Sequence, residues 1–192
     1  MMEHDLRHQL YLLIHSAPTL QAAIDAAREA PSTINEHWET LVRYASSVDE
    51  VLELGCGFST LAWLSTPARV ESVDIEPMPW TDRLLELAGP RLTARVMDDL
   101  QLPPRPVPLL YIDTLHTYAH LAAELARHGP LAETIIMHDT YSFRDSAAPL
   151  TRQYCPGDRG LWPAIEEFCD AHDYAIIDIY HHQHGLTVLK RR

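Results

Sequence analysis

Short apolar runs alternate with amphipathic segments along most of the chain after residue 50. The apolar runs have the length of β-strands, whereas the longer segments repeat apolar residues at helical spacing. We predict seven strands, at residues 50–55, 69–76, 92–99, 109–114, 133–140, 174–181 and 186–190. Helices are predicted between most of them, at residues 57–65, 80–89, 117–129 and 162–172.

The chain before residue 50 has a different pattern, without strand-like runs. Apolar residues recur at helical spacing over residues 6–15 and 20–30. Thr33 and Glu36 have the spacing of a capping box, in which a threonine caps the helix and a glutamate follows three residues later. This motif predicts a third helix through residues 37–47.

The order of strands and helices indicates the fold class. Strands that alternate with helices are typical of a parallel sheet covered on both faces. Residues 182–185, which join the last two strands, are too few for a parallel crossover and fit an antiparallel pair. We therefore predict an α/β fold: a Rossmann-like, doubly wound, seven-stranded and mostly parallel sheet with one antiparallel strand. A helical extension (1–47) is expected to pack on this core (48–192) within one structural domain.

Composition and charge restrict the class of function. The chain has 192 residues, 46% of them hydrophobic, which suits one domain with a full core. Fifteen basic and 27 acidic residues give a net charge of −12, so we expect neither a nucleic acid nor an anionic membrane as partner. The three cysteines have no CxxC spacing, and the N-terminus lacks the basic region of a signal peptide. We expect a cytoplasmic protein.

The segment VLELGCGFST joins the first predicted strand to a helix through a glycine turn. Gly55 and Gly57 permit positive φ angles and a close approach of a ligand to the backbone. The third glycine of the dinucleotide-binding fingerprint is replaced by Thr60. Glu53 would repel a pyrophosphate but attract an ammonium or a sulfonium group. A tight turn without a ligand is the alternative interpretation.

Acidic residues also end the next two predicted strands. Asp74 follows the glycine turn by about twenty residues, where an acid can hold both hydroxyls of a ribose. Asp98 or Asp99 ends the third strand, where either could bind an adenine amino group. A helix cap or a solvated turn is the alternative role for each of these acids.

The motifs ELGCGFST, SVDIE and MDD resemble the cofactor site of the class I, Rossmann-like S-adenosylmethionine-dependent methyltransferases. The resemblance extends over about residues 48–190 and identifies 48–192 as the S-adenosylmethionine-binding domain. It implies that Glu53 lies near the methionine end of the cofactor, Asp74 at the ribose and Asp98 near the adenine. The implied cofactor-binding residues are Glu53, Gly55, Cys56, Gly57, Ser59, Asp74, Ile75, Asp98 and Asp113.

Motifs in the second half are similar to a narrower group of bacterial enzymes. YIDTLHTYAHLAAEL, IIMHDT, GLWPAIEEF and HGLTVLKR resemble the cephalosporin-hydroxylase and sugar O-methyltransferase branch of small-molecule methyltransferases. This resemblance implies methyl transfer to a small molecule, above all to a hydroxyl group. Two alternatives stay open: a protein or subunit that binds S-adenosylmethionine without methyl transfer, and, less favoured, an NAD-dependent oxidoreductase.

Two acids and two histidines end the fourth and fifth predicted strands, so we expect them to share one cleft. The candidate catalytic residues are Asp113, His116, His138 and Asp139. A histidine could remove the proton of an acceptor hydroxyl. Asp113, His138 and Asp139 could instead bind a divalent cation, which we favour less because Mg²⁺ prefers oxygen ligands. A purely structural role is the third hypothesis.

A long polar segment, residues 141–160, follows the fifth predicted strand. Loops of this length often act as lids over a site. Arg144, Arg152 and Arg159 suggest an acceptor with an anionic group, although arginines in solvated loops are equally common. The oligomeric state does not follow from the sequence, which is compatible with a homodimer.

Overall fold

The structure, a computed structural model, describes residues 3–147 and 154–192. The chain divides into two compact units, Met1–Asp98 and Asp99–Arg192. None of the described helices combines the length and the apolar character that crossing a membrane requires. The α-helices of the described residues are α1 (Glu3–Ser16), α2 (Leu20–Glu29), α3 (Trp38–Ala45), α4 (Phe58–Leu64), α5 (Thr81–Ala88), α6 (Tyr118–His128) and α7 (Trp162–Ala171).

The strands form one seven-stranded sheet in the order β3-β2-β1-β4-β5-β7-β6. In the first unit β1 pairs with β2 and β2 with β3, all parallel. In the second unit β4 and β5 are parallel, whereas β7 is antiparallel to both β5 and β6. The predicted fold class is therefore confirmed, including its single reversed strand. The strands are β1 (Glu50–Leu54), β2 (Arg69–Asp74), β3 (Leu92–Val96), β4 (Val107–Ile112), β5 (Ala132–His138), β6 (Tyr174–Tyr180) and β7 (Leu186–Arg191).

The first unit is built around β1 and α4. Four of the five residues of β1 are buried, and every residue of α4 is buried. Helices α2 and α3 pack on α4, and α1 packs on α2 and α5. The three predicted N-terminal helices are thus present, whereas the division into an extension and a core domain at residue 47 stays a prediction.

The predicted cap of α3 is wrong, although the helix begins within one residue of the predicted position. Thr33 does not cap this helix, which begins at Trp38 after a short 3₁₀ turn at Asn35–His37. Trp38 is 3% exposed and Leu41 is fully buried, so burial of the apolar face sets where the helix begins. The local motif is overridden because tertiary packing contributes more to a short helix than a single cap.

The first part of the long segment after β5 is held by backbone hydrogen bonds. Tyr141 and Ser142 donate to the carbonyl of His184 at 2.9 and 3.0 Å, and Leu161 donates to the carbonyl of Phe143 at 2.8 Å. Residues 148–153, which include Arg152, lie outside the described residues. That the segment gates the site stays a prediction.

Gly185 allows the turn between β6 and β7 to contact Tyr141. Its φ is +92°, and a Cβ at this position would lie 2.4 Å from Cβ of Tyr141 and 2.6 Å from its nitrogen. Gly185→Ala is therefore expected to lower the free energy of unfolding by about 1–3 kcal/mol, measured by urea denaturation. The matched control is Gly157→Ala, since Gly157 has a φ of +82° but nothing within 4 Å of the added Cβ. Equal losses in the two variants would contradict the steric explanation.

Candidate functional site

The glycine turn connects β1 to α4 as the sequence predicts. Gly55 has a φ of 91°, and its N–H donates to the carbonyl of Val73 at 2.8 Å. The N–H of Gly57 donates to Oγ1 of Thr60 at 3.2 Å, which closes the turn. A Cβ added at Gly57 would meet nothing within 4 Å. The backbone at this position is therefore open to a ligand.

The carboxylate of Glu53 lies below this turn and is completely buried. Its Oε1 accepts hydrogen bonds from Ser59 Oγ at 2.6 Å and Trp63 Nε1 at 3.0 Å. Its Oε2 accepts from Thr60 Oγ1 at 2.7 Å and Ser72 Oγ at 2.6 Å. Burial raises the pKa of Glu53 to about 7, although the four hydrogen bonds act in the opposite direction. Through these hydrogen bonds Glu53, on β1, links this strand to α4 and β2. Its predicted contact with a cofactor is not tested by them and stays a prediction.

Asp74, at the end of β2, faces the glycine turn. Its Oδ2 accepts a hydrogen bond from the backbone N–H of Cys56 at 3.0 Å, and its Oδ1 accepts from the N–H of Glu76 at 3.1 Å. The thiol of Cys56 stays neutral, because burial and the charge of Glu53 raise its pKa to about 11. The structure therefore brings together the turn and the acid that the sequence assigns to a ribose.

Apolar side chains are exposed beside Asp74. Ile75 is 71% exposed and Val96, at the end of β3, is 55% exposed. The N–H of Met97 donates to the carbonyl of Asp74 at 2.9 Å, so Asp98 follows directly at the same edge of the first unit. Such an exposed aliphatic surface can contact the face of a flat ring, and the neighbouring acids can accept hydrogen bonds from its polar edge.

The four candidate catalytic residues lie together in the second unit and form what we call the Asp–His quartet: Asp113, His116, His138 and Asp139. His138 Nδ1 lies 3.0 Å from Asp139 Oδ1 and 3.3 Å from Asp113 Oδ2. His116 Nε2 lies 3.0 Å from Asp139 Oδ2 and 3.4 Å from Asp113 Oδ1. Each carboxylate therefore contacts both imidazoles, so the predicted cluster of these residues is observed.

The two histidines of the quartet differ in their exposure to solvent, although the pKa of each is raised. Burial alone would lower the pKa of His138, but the charges and hydrogen bonds of Asp113 and Asp139 outweigh it and raise the pKa to about 10. Burial is likewise outweighed at His116, whose pKa is raised by a hydrogen bond to Asp113 and the charge of Asp139. The side chain of His138 is 2% exposed and that of His116 is 24% exposed. His138 is thus held as a buried cation, and His116 is the histidine accessible for proton exchange.

Neighbouring groups fix the orientation of the quartet. The ring of Phe143 stacks on His116 with centroids 4.7 Å apart, and the hydroxyl of Tyr111 donates to Asp113 at 3.2 Å. Asp139 has a φ of 61°, in the left-handed region.

Asp113, His116 and Asp139 each offer a ligand atom within 4.8 Å of the others. A cation there would use His116, whereas the histidine predicted for that set is His138.

A second group of polar side chains, in the second unit, was not predicted from the sequence. Asp99 Oδ2 lies 3.4 Å from His120 Nε2, which lies 3.6 Å from Glu124 Oε1. Thr114 Oγ1 donates to Glu124 Oε1 at 2.7 Å, and burial raises the pKa of Glu124 well above its usual range. His120 and Glu124 are four residues apart on a predicted helix, and this spacing was the available signal.

The two arginines that the structure describes in the long segment have partners within the second unit. The guanidinium of Arg144 lies 3.9 Å from the ring of Trp162. That of Arg159 lies 3.8 Å from the ring of Tyr118 and pairs with Glu167 at 3.0 Å. Both guanidinium groups therefore have partners within the protein. That the acceptor carries an anionic group stays a prediction.

Comparisons with known proteins show the fold. No family model and no curated protein matches the sequence. Magnesium protoporphyrin IX methyltransferase of Synechocystis PCC 6803, solved with bound SAM, has a TM-score of 0.61 and 13% identity, over 83% of this chain and 80% of that one. Burkholderia thailandensis 1,6-didemethyltoxoflavin-N1-methyltransferase, solved with S-adenosylhomocysteine, has a TM-score of 0.62 and 15% identity, over 100% of this chain and 91% of that one.

An O-methyltransferase from neocarzinostatin biosynthesis, solved with SAM and a naphthoic acid, has a TM-score of 0.58 and 14% identity. The match covers 78% of this chain and 50% of that enzyme. These three enzymes act on different small molecules, so the common feature is their architecture. This chain has the Rossmann-like fold of the S-adenosylmethionine-dependent methyltransferases.

Proposed function

We propose that this chain is an S-adenosylmethionine-dependent methyltransferase that methylates a hydroxyl group of a small molecule. The observation that carries the proposal is the hydrogen bond from the backbone of Cys56 to the carboxylate of Asp74, in a methyltransferase fold. This contact joins the glycine turn to the acid that would hold the ribose. Resemblance to the cephalosporin-hydroxylase and sugar O-methyltransferase branch supports oxygen as the acceptor atom.

The residues of the first unit fit the cofactor. The open backbone at Gly57 admits a ligand, Asp74 offers a carboxylate to hydroxyls, and the exposed Ile75 offers an apolar face to an adenine. S-adenosylmethionine, when bound, supplies an electrophilic methyl group. Of the residues that the resemblance implies, we assign cofactor binding to Gly55, Cys56, Gly57, Asp74, Ile75 and Asp98 of the first unit and to Asp113 of the second. The buried Glu53 and Ser59, which bond to each other, would support the glycine turn from below the surface.

We assign proton removal from the acceptor to His116. His138 is a poor proton acceptor near neutral pH, since two carboxylates raise its pKa to about 10. His116 is the more exposed imidazole and can pass a proton on to solvent. Asp113 and Asp139 would orient His116 and stabilise its charged form. A divalent cation held by Asp113, His116 and Asp139 is the alternative, in which the cation lowers the pKa of the hydroxyl.

Calorimetry with S-adenosylmethionine tests the proposal. The wild-type chain is expected to bind this cofactor and S-adenosylhomocysteine, and Asp74→Ala to weaken the affinity by about 10- to 100-fold, because the hydroxyls lose a charged acceptor. Asp74→Asn keeps an oxygen that can accept the hydrogen bond from Cys56 but removes the negative charge. Comparing the two variants therefore distinguishes disruption of the glycine turn from loss of the charge. Asp82→Ala, at an exposed acid of α5, is the control and should bind normally. Binding of NAD without binding of S-adenosylmethionine would overturn the proposal.

A further inference from the structure

A second set of ionisable side chains lies within the second unit. It shares no residue with the Asp–His quartet, but its Glu124 lines the same small cavity as Asp113, His116 and His138. Asp99 begins a short 3₁₀ helix after β3, whereas His120 and Glu124 lie on α6. Residues four apart on a helix project from the same face, so α6 presents an imidazole and a carboxylate together. The carboxylate of Asp99 faces both from a different segment of the chain.

The spacing of these three groups matches a metal site. Asp99 Oδ2 lies 3.4 Å and Glu124 Oε1 lies 3.6 Å from His120 Nε2, and all three ligand atoms lie within 4.8 Å of one another. Zinc binds nitrogen and oxygen ligands tetrahedrally at about 2.0–2.2 Å, so its ligand atoms are about 3.3–3.6 Å apart. The two distances to His120 therefore need almost no adjustment.

Burial of the two carboxyl groups, Asp99 and Glu124, is unfavourable in free energy unless a positive charge lies beside them. Glu124 is completely buried and Asp99 is 8% exposed. In the described part of the chain, Oε2 of Glu124 receives no hydrogen bond. In its ionised form Glu124 would have a buried oxygen without a donor and a second carboxylate nearby, and both features disfavour that form. A cation shared by both carboxylates removes both costs.

We propose that Asp99, His120 and Glu124 bind a divalent metal ion, with zinc preferred and a fourth position open to water. Mixed imidazole and carboxylate ligands favour zinc over magnesium, which takes oxygen ligands. Thr114 Oγ1 donates to Glu124 Oε1 at 2.7 Å and so orients this ligand from outside the site. Since Thr114 adjoins Asp113 in the chain, the ion would also steady the segment that carries one carboxylate of the quartet.

Zinc titration of the chelator-treated protein by calorimetry tests this proposal. The matched variants are His120→Gln, which removes one proposed ligand, and His116→Gln, which disables the other set with suitable spacing, Asp113, His116 and Asp139. We expect His120→Gln to lose one equivalent of bound zinc or to weaken its binding by more than about 100-fold. We expect His116→Gln to keep that equivalent.

Cobalt and thermal unfolding provide two further readouts. Co²⁺ should give the intense visible absorption of a tetrahedral site in the wild type and in His116→Gln, but not in His120→Gln. Zinc should raise the Tm of the wild type and leave that of His120→Gln unchanged. Glu124→Gln is a second variant, and circular dichroism shows whether each is folded. A wild type that binds no zinc, or a folded His120→Gln that binds it as the wild type does, would overturn the proposal.

Discussion

His116→Gln is expected to lower the rate of methyl transfer by about 10²–10⁴-fold, with the affinity for S-adenosylmethionine nearly unchanged. The substitution removes the imidazole that would accept the hydroxyl proton and leaves every cofactor-binding side chain in place. The rate is measured as release of S-adenosylhomocysteine in the presence of a low-molecular-mass metabolite extract, and the affinity by calorimetry. A variant that turns over as fast as the wild type would exclude His116 as the base.

The pH dependence of the same reaction separates a base from a structural residue. His116 accepts a proton only when neutral, and its neighbours raise its pKa above the usual 6.5. The rate of the wild type should therefore rise with pH above that value. Asp139→Asn removes a charge that stabilises the imidazolium, so it should lower the pKa of His116 and move the rising limb to lower pH.

Two controls accompany this measurement. Asp145→Asn, at an acid whose side chain is 87% exposed, should leave the pH profile unchanged. Loss of wild-type activity on treatment with a chelator, with recovery on addition of Mn²⁺, would assign activation of the hydroxyl to a cation. A shift of the Asp139→Asn profile to higher pH would contradict the role assigned to this carboxylate.

The second large expected effect is on the pH dependence of the unfolding free energy, and it arises from Glu53. Its pKa is about 7 in the folded chain, against 4.5 as the ordinary value, so the folded state binds the proton more tightly. This contribution to stability is fully present below about pH 4.5 and is lost as the pH rises through about 7. The difference of about 2.5 pKa units corresponds to about 3 kcal/mol of unfolding free energy.

Glu53→Gln is expected to abolish this part of the pH dependence, because glutamine is neutral throughout. Urea unfolding at about pH 5 and about pH 8 measures it: the wild type should lose about 2.5 kcal/mol more than the variant between the two conditions. The control is Glu29→Gln, at an exposed glutamate of α2, which should behave as the wild type does. A parallel decline in wild type and Glu53→Gln would show that other groups cause the pH dependence.

The sheet could be predicted because its determinants are local. Apolar runs of strand length, such as β1 and β5, are separated by helical segments, and the short connection before β7 excludes a parallel crossover. The quartet could be predicted for a related reason. Asp113 and His138 lie at the ends of neighbouring parallel strands, and such ends meet at one edge of a sheet.

Features that depend on distant partners were not predictable. The hydrogen bonds to Glu53 are one example, since Ser59 and Ser72 become its donors only when α4 and β2 pack on β1. The partner of Asp99 is another, because its carboxylate contacts His120 on a helix that begins nearly twenty residues later. No local pattern relates these positions.

The left-handed backbone of Asp139, with a φ of 61°, restricts which residues can occupy this position. Glycine adopts that conformation freely, and asparagine and aspartate adopt it more readily than other side chains. Of these three, aspartate alone carries the negative charge that both histidines contact. In a homologue, Asn or Gly at this position would therefore keep this backbone conformation without the charge, so the pKa of the histidine that corresponds to His116 would be lower and proton removal would extend to lower pH. The residue at this position can thus indicate the working pH of a homologue when new genomes are surveyed.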